Sequence, residues 1–236
     1  MIISIEGNIG SGKSSFMRML KEHYKNHSRV ICIDEPVNEW GEITDENGKS
    51  ILECFYADQN KYAFPFQILT FMTRLIRLQE CLDKHPDSIL ITERSILTDS
   101  LFAELVYKEG KISKIEYDVY KKQFEYFIQR IPEIHIIYLY TDPEVCLERI
   151  HKRSRKGEHD IPLSYLKSLH DVHESFMGSY GCARLNGNKD KKETISDYKK
   201  WIHFVNWCFE GDEGGDEKED EGEDEGAIFL EQQQLS

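Results

Sequence analysis

The chain has 236 residues, 39% hydrophobic and 11% aromatic, enough for one α/β domain with a full core. No apolar run approaches the roughly 20 residues of a membrane helix, and the first apolar run begins at Met1, so neither a membrane span nor a leader peptide is expected. The net charge of −13 is concentrated in residues 210–226, which hold eleven acids and one lysine, so residues 1–209 are close to neutral.

Residues 1–6 (MIISIE) read as a buried strand, followed by the Gly- and Ser-rich stretch 7–15 and a helix-like run at 16–23. Residues 30–33 are a second short apolar run. The periodicity predicts a long helix over 64–82, with Phe66, Leu69, Thr70, Thr73 and Ile76 near one face. Residues 88–92 (SILIT) are strand-like, bounded by His85-Pro86 and Glu93. A helix is predicted at 113–130, with Ser113 as N-cap and Glu116 completing a capping box. Residues 135–140 form a fourth apolar strand, and Asp142 and Pro143 open a further helix in the preferred N-cap and N1 order. Helices are also expected at 162–177 and 195–209, with a last strand at 182–186. Strands alternating with helices imply an α/β fold, a parallel sheet of about five strands covered on both faces. Residues 210–226 cannot bury apolar surface and repel themselves. The expected organisation is one domain over 1–209 and a disordered acidic tail over 210–236, dispensable for catalysis. Six cysteines, Cys32, Cys54, Cys81, Cys146, Cys182 and Cys208, stand singly, which suits reduced thiols and a cytoplasmic location.

Gly7-Asn8-Ile9-Gly10-Ser11-Gly12-Lys13-Ser14, with Ser15 after it, satisfies G-x-x-x-x-G-K-[ST] between a strand and a helix. Glycines let backbone N–H groups approach phosphate oxygens, and the helix N-terminus adds partial positive charge. Lys13 is placed to reach β- and γ-phosphates, and the Ser14 hydroxyl to ligate Mg²⁺. ATP and Mg²⁺ are therefore the expected cofactors. The loop does not name the phosphate acceptor, since GTPases, ATPase motors and small-molecule kinases share it.

Asp34-Glu35-Pro36-Val37-Asn38-Glu39-Trp40 follows the second strand, where α/β sheets bind ligands. Taken alone, Glu35 is as compatible with a helix cap or a solvated loop as with a general base. Phe64-Pro65-Phe66-Gln67 comes next, then Thr92-Glu93-Arg94-Ser95 after the third strand, with Asp99 a turn later. Arg149 and Arg153, four apart, share a helix face that runs into Arg155-Lys156-Gly157, a basic lid candidate, followed by Glu158.

GNIGSGKSS, EPVNEW, PFQ, ERS and RIHKRSRKGEHDIPLSYLKSLHDVHES, in this order over residues 1–177, resemble the deoxynucleoside kinase family, which includes deoxycytidine, deoxyguanosine and mitochondrial-type thymidine kinases. The resemblance implies a P-loop kinase fold with an Arg-rich lid and transfer of the ATP γ-phosphate to the 5′-hydroxyl of a deoxynucleoside. It implies Glu35 as general base, Arg94 as the cation at that oxygen, Glu93 near Mg²⁺ and Gln67 as reader of the base. Trp40 and Phe66 would sandwich the base. Tyr56 and Glu158 would hold the 3′-hydroxyl, with Phe55 or Tyr62 as alternatives to Tyr56. Arg149, Arg153 and Arg155 would close over ATP. Arg74 and Asp99 would form a charged pair lining the base pocket, as in deoxycytidine and deoxyguanosine kinases, so deoxycytidine or a deoxypurine is favoured over thymidine. The departures are Ser100-Leu101-Phe102 after Asp99, and Thr70 on the Arg74 face. A homodimer is implied, with no nucleic-acid or membrane partner. The alternatives are a thymidine-preferring or broad-specificity kinase, a thymidylate kinase, and a non-catalytic nucleotide-binding subunit. Glu35-Pro36-Val37 and Glu93-Arg94-Ser95 favour a nucleoside acceptor over a monophosphate. Intact Lys13, Ser14, Glu35 and Arg94 argue against lost catalysis.

Overall fold

Ile2, Ile3 and Ile5 are fully buried on both faces of their strand, as a run this apolar requires in the centre of a covered parallel sheet. In the computed structural model this strand, β1 (Ile2–Glu6), is flanked by β3 (Ile89–Glu93) and β4 (Ile134–Tyr140), with β2 (Val30–Ile33) and β5 (Ala183–Asn186) outside them. The order is β2-β3-β1-β4-β5 and every pairing is parallel. The structure describes residues 1–189 together with Ile202, Val205 and Asn206. The chain groups into two units, Met1–Ile195 and Ser196–Ser236. In the second, the three described residues are helical. The acidic tail and most of the helix expected at 195–209 lie outside the described residues.

The helices are α1 (Lys13–Tyr24), α2 (Val37–Glu42), α3 (Ile51–Ala57), α4 (Gln59–Lys84), α5 (Ile96–Lys108), α6 (Lys114–Ile128), α7 (Pro143–Arg153) and α8 (Leu163–Tyr180). α4 begins five residues before the expected start, because Asp58 caps it by accepting the Lys61 N–H; Pro65 then lies inside the helix, at its seventh residue, and leaves the Lys61 carbonyl without its helical donor. The Ser113–Glu116 capping box forms as expected, and a second, Ser50–Glu53, opens α3. Asp142 occupies the N-cap of α7 but accepts the Tyr140 hydroxyl at 2.7 Å instead of capping. One core joins the sheet to α4 and α8 through Leu78, Leu90, Ile136, Tyr138 and Met177. A second lies between α4, α5 and α6 around Phe71, Ile96 and Tyr120.

The chain leaves β1 for β2 and β3 on one side and later fills β4 and β5 on the other. The carboxyl end of β1 is thus the switch point where open α/β sheets bind ligands. Among the described residues no helix is long and apolar enough to cross a membrane.

Candidate active site

The loop after β1 turns sharply at two glycines. Gly7 has φ +148 and Gly10 φ +80; a Cβ would fall 2.6 Å from the Leu139 carbonyl oxygen at Gly7 and 2.5 Å from that of Cys146 at Gly10. Only glycine fits either position. The loop ends in the first turn of α1, whose free N–H groups suit an anion. Lys13 is buried, and its Nζ donates to the carbonyls of Gly7 (3.1 Å) and Asn8 (2.8 Å), inside the loop that triphosphate oxygens would fill. Burial, and next the charge of Arg94, lower its pKa from 10.5 to about 7 against the opposing pull of Glu93, Glu35 and Glu6. The Asn8 side chain is otherwise engaged: it donates to the Leu166 carbonyl on α8 and accepts the Ile9 N–H, both at 2.8 Å. Its side chain thus braces the loop from behind, and only its backbone is left to face a phosphate. Ile9 packs into the apolar cluster of α5, α7 and α8, and Ser15 accepts from Arg18.

Three chain segments meet opposite this loop. Glu35 follows β2, Arg94 follows β3, and Arg74 reaches in from α4. Arg74 holds Asp99 through Nη1 and Glu35 through Nη2 (2.5 Å), while Arg94 Nε lies 3.4 Å from the same Glu35 oxygen. Burial raises the Glu35 pKa, but Arg74, Arg94 and Lys13 outweigh it and bring it from 4.5 to about 2. Glu35 is thus a carboxylate at any physiological pH. Ser14 donates to Glu93 Oε1 at 2.7 Å, joining the two residues expected at Mg²⁺. Burial, then the nearby Glu35 charge, raises the Glu93 pKa. The two oxygen groups beside a triphosphate cradle fit Mg²⁺, which takes few protein ligands and several phosphate and water oxygens. A small cleft between α4 and the sheet is lined by Asp34, Pro36, Arg74, Arg77, Glu93 and Arg94.

Trp40 on α2 and Phe66 on α4 are buried edge to face, 5.7 Å between centroids, and Trp40 Nε1 donates to Thr73 Oγ1 at 3.0 Å. The two rings form an aromatic corner, with Phe55 stacked on Phe66 at 4.6 Å. Gln67 is buried on the α4 face that also carries Arg74, and Thr70 satisfies its hydroxyl on the Gln67 carbonyl at 3.1 Å. Phe102, in the segment that departs from the family pattern, lies under Arg94 at 4.7 Å and meets His173 edge to face. His173 is buried on α8, and burial, then Arg94, lowers its pKa to about 3, so it is neutral packing.

The lid segment follows α7. Arg149 donates to the Ser11 carbonyl at 3.1 Å and the Lys189 carbonyl at 2.9 Å, whereas Arg153 and Arg155 both bind the buried Glu158. Gly157, at φ +86, lies so close to α3 that a Cβ would be 2.9 Å from Glu53 Cγ, and Lys156 pairs with Glu53 at 3.1 Å. Tyr56 on α3 is half-buried. Burial, followed by Tyr165, Glu158 and Glu35, pushes its hydroxyl well above the usual range. Of the three aromatic candidates, Tyr56 is thus the one whose surroundings include both Glu158 and Glu35, while Phe55 is committed to the Phe66 stack.

The sequence profile of the deoxynucleoside kinase family matches residues 3–203, which contain every residue of this site. The chain belongs to the deoxynucleoside kinase family. Among its relatives are the mitochondrial deoxyguanosine kinase of Xenopus laevis, 33% identical over 74% of this chain and 72% of that one, and the human deoxycytidine kinase, 32% identical over 74% of each. Human mitochondrial thymidine kinase 2 is 31% identical over 75% of this chain and 64% of its own. The family is one of kinases that take ATP as phosphate donor, and the loop at 7–14 is where this chain would hold it. Relatives named for three different bases leave the base preference to the pocket itself.

Proposed function

We propose that this chain transfers the γ-phosphate of ATP to the 5′-hydroxyl of a deoxynucleoside, favouring deoxycytidine or a deoxypurine over thymidine. The observation that carries the reading is the convergence of Glu35, Arg74 and Arg94 opposite the phosphate loop. Glu35 takes the proton of the 5′-hydroxyl as its oxygen bonds to the γ-phosphorus, the bond from that phosphorus to the bridging oxygen breaks, and ADP leaves. Arg94 steadies the attacking oxygen and the charge developing on the phosphoryl group; catalysis here is positioning plus charge stabilisation. Ser14 and Glu93 would hold Mg²⁺, which supplies charge neutralisation between the β- and γ-oxygens. Gln67 offers a donor and an acceptor to a base edge, the Trp40–Phe66 corner walls the base, and Tyr56 with Glu158 receives the 3′-hydroxyl. Arg149, Arg153 and Arg155 close over the triphosphate.

The base preference rests on Arg74 and Asp99. Both are buried, and Arg74 is also paired with Glu35, so the pair belongs to the acceptor cluster rather than to a bridge on the helix surface. Asp99→Ala alone leaves a buried guanidinium short of a partner and is expected to cost about 3–5 kcal/mol of stability in urea unfolding. Arg74→Met with Asp99→Ala removes both charges and opens room for a methyl group. The ratio of thymidine to deoxycytidine kcat/KM should then rise about tenfold. An unchanged order among the four deoxynucleosides, or a wild type that already prefers thymidine, would defeat the specificity reading and leave the kinase assignment in place.

The same reading places the enzyme in the cytoplasm as a homodimer, with residues 1–209 as the kinase domain. Among the described residues the five cysteines are free thiols. Ile76 on α4 and Ile115, Val119 and Tyr126 on the adjoining α6 expose large apolar side chains, an arrangement that suits a partner copy. Light scattering is expected to give twice the chain mass for the wild type and one chain mass for Ile115→Glu. A monomeric wild type would remove the dimer.

A further inference from the structure

Glu6 is the last residue of β1 and is fully buried, yet among the described residues its hydrogen-bond partners are all hydroxyls. Oε1 accepts from Ser4 Oγ (2.6 Å) and Ser95 Oγ (2.7 Å), and Oε2 accepts from Thr98 Oγ1 (2.6 Å). Ser95 is the N-cap of α5 but makes no capping bond with its side chain; its hydroxyl goes to Glu6 instead. Thr98 lies in the first turn of the same helix. One carboxyl group thus fastens both the cap and the first turn of α5 to the end of β1.

Arg94 sits between β3 and this fastened turn. Its backbone is left-handed, with φ 65, a conformation that a residue with a Cβ keeps only where its surroundings over-determine it. Its N–H donates to the Ile5 carbonyl at 3.1 Å, one residue before Glu6. The guanidinium that emerges lies over Phe102 and beside Glu35. If α5 started without the Ser95 and Thr98 bonds, the turn could relax towards a right-handed backbone, which would carry the guanidinium away from Glu35.

We infer that Glu6 is a positioning residue for the phosphoryl-transfer step, holding Arg94 in its strained backbone through Ser95 and Thr98. It acts through Arg94 and touches neither reactant, and the inference rests on the role given to Arg94 under the proposed function.

The test compares Glu6→Gln, Thr98→Val and Thr98→Ser with the wild type, using ATP and the deoxynucleoside the wild type uses best. Glu6→Gln and Thr98→Val should lower kcat by about 10–10²-fold, the scale of an ångström misplacement, with KM for ATP within about threefold. Thr98→Ser keeps the hydroxyl and should restore kcat to within about threefold of wild type. In an Arg94→Lys background, Glu6→Gln should have an effect of no more than about twofold, because residues that act through one another are not additive. A merely structural role would lower active protein without this split and would multiply with Arg94→Lys. A Glu6→Gln enzyme with kcat within threefold of wild type, or multiplying effects, overturns the inference. If Glu6→Gln does not fold, the Thr98 pair decides: equal kcat for Val and Ser overturns it, and a deficit confined to Val upholds it. A wild type inactive on all four deoxynucleosides would instead overturn the functional reading, and this inference with it.

Discussion

Lys13→Ala is expected to abolish phosphoryl transfer, with kcat/KM down by about 10³-fold or more. The lysine is buried in the loop whose backbone would surround the triphosphate, so no solvent charge can replace it. Its lowered pKa adds a second readout. With a value of about 7 the free enzyme loses the Lys13 proton as pH rises through neutrality, whereas a bound triphosphate favours the charged amine. ATP binding should therefore take up a proton at pH 8, and affinity should fall as pH rises above about 7. Calorimetry in two buffers of different ionisation enthalpy measures the uptake, which Lys13→Ala should remove. Folding carries the opposite sign: the unfolded chain holds this proton up to 10.5, so folding releases it and Lys13 makes the fold more stable as pH rises from 7 to 10.5. Full activity in Lys13→Ala would mean that the loop does not hold the transferred phosphate.

Glu35→Gln should keep the fold and lower kcat about 10²–10⁴-fold, the usual contribution of a positioned base. The amide still accepts a hydrogen bond from Arg74, but the site loses its central negative charge between Arg74 and Arg94. Because Arg74, Arg94 and Lys13 hold the carboxyl at about 2, its ionisation contributes stability that is fully present above its ordinary 4.5 and is lost only as pH falls through about 2. The acid limb of the rate profile between pH 5 and 7 should therefore not arise from Glu35, and the mutant's deficit should be nearly constant across that range. A Glu35→Gln enzyme within about threefold of wild-type kcat would exclude Glu35 as the base.

β1 and β3 are legible in the sequence because a strand buried on both faces must be apolar throughout, and the half-buried edge strand at 30–33 reads with its final bounds from its short apolar run. α2 and α3 were not, since six and seven residues are too few to establish a helical period. α5 is buried over much of its surface, so it has only a weak apolar stripe and shows itself through Asp99 alone. In the site, the phosphate loop follows from its motif, and the Arg74–Asp99 pair from the resemblance to deoxycytidine and deoxyguanosine kinases. The bond from Arg74 to Glu35 does not, because it joins residues 39 apart through a helix whose rotation the sequence leaves open. Glu6 was readable only as a strand end. The available signal was an acid closing an otherwise apolar run, with Ser95 and Thr98 placed to meet it only once β1 and β3 are paired. The Trp40–Phe66 contact likewise depends on how α2 crosses α4.

The central position of β1 has a consequence for how the protein is made. Its first residues pair with the chain at Leu90 on one side and at Ile134 on the other, and both partners are synthesised later. On a ribosome adding about 5–20 residues per second, Ile2, Ile3 and Ile5 wait on the order of ten seconds before β4 exists to cover their second edge. Such long-range parallel pairing is slow to form even after release. During that interval the emerging chain exposes an unpaired apolar edge of the kind that aggregates or is captured by holding chaperones. Fragments that stop short of Ile134 carry the whole phosphate-loop motif and still lack the strand that gives it a wall.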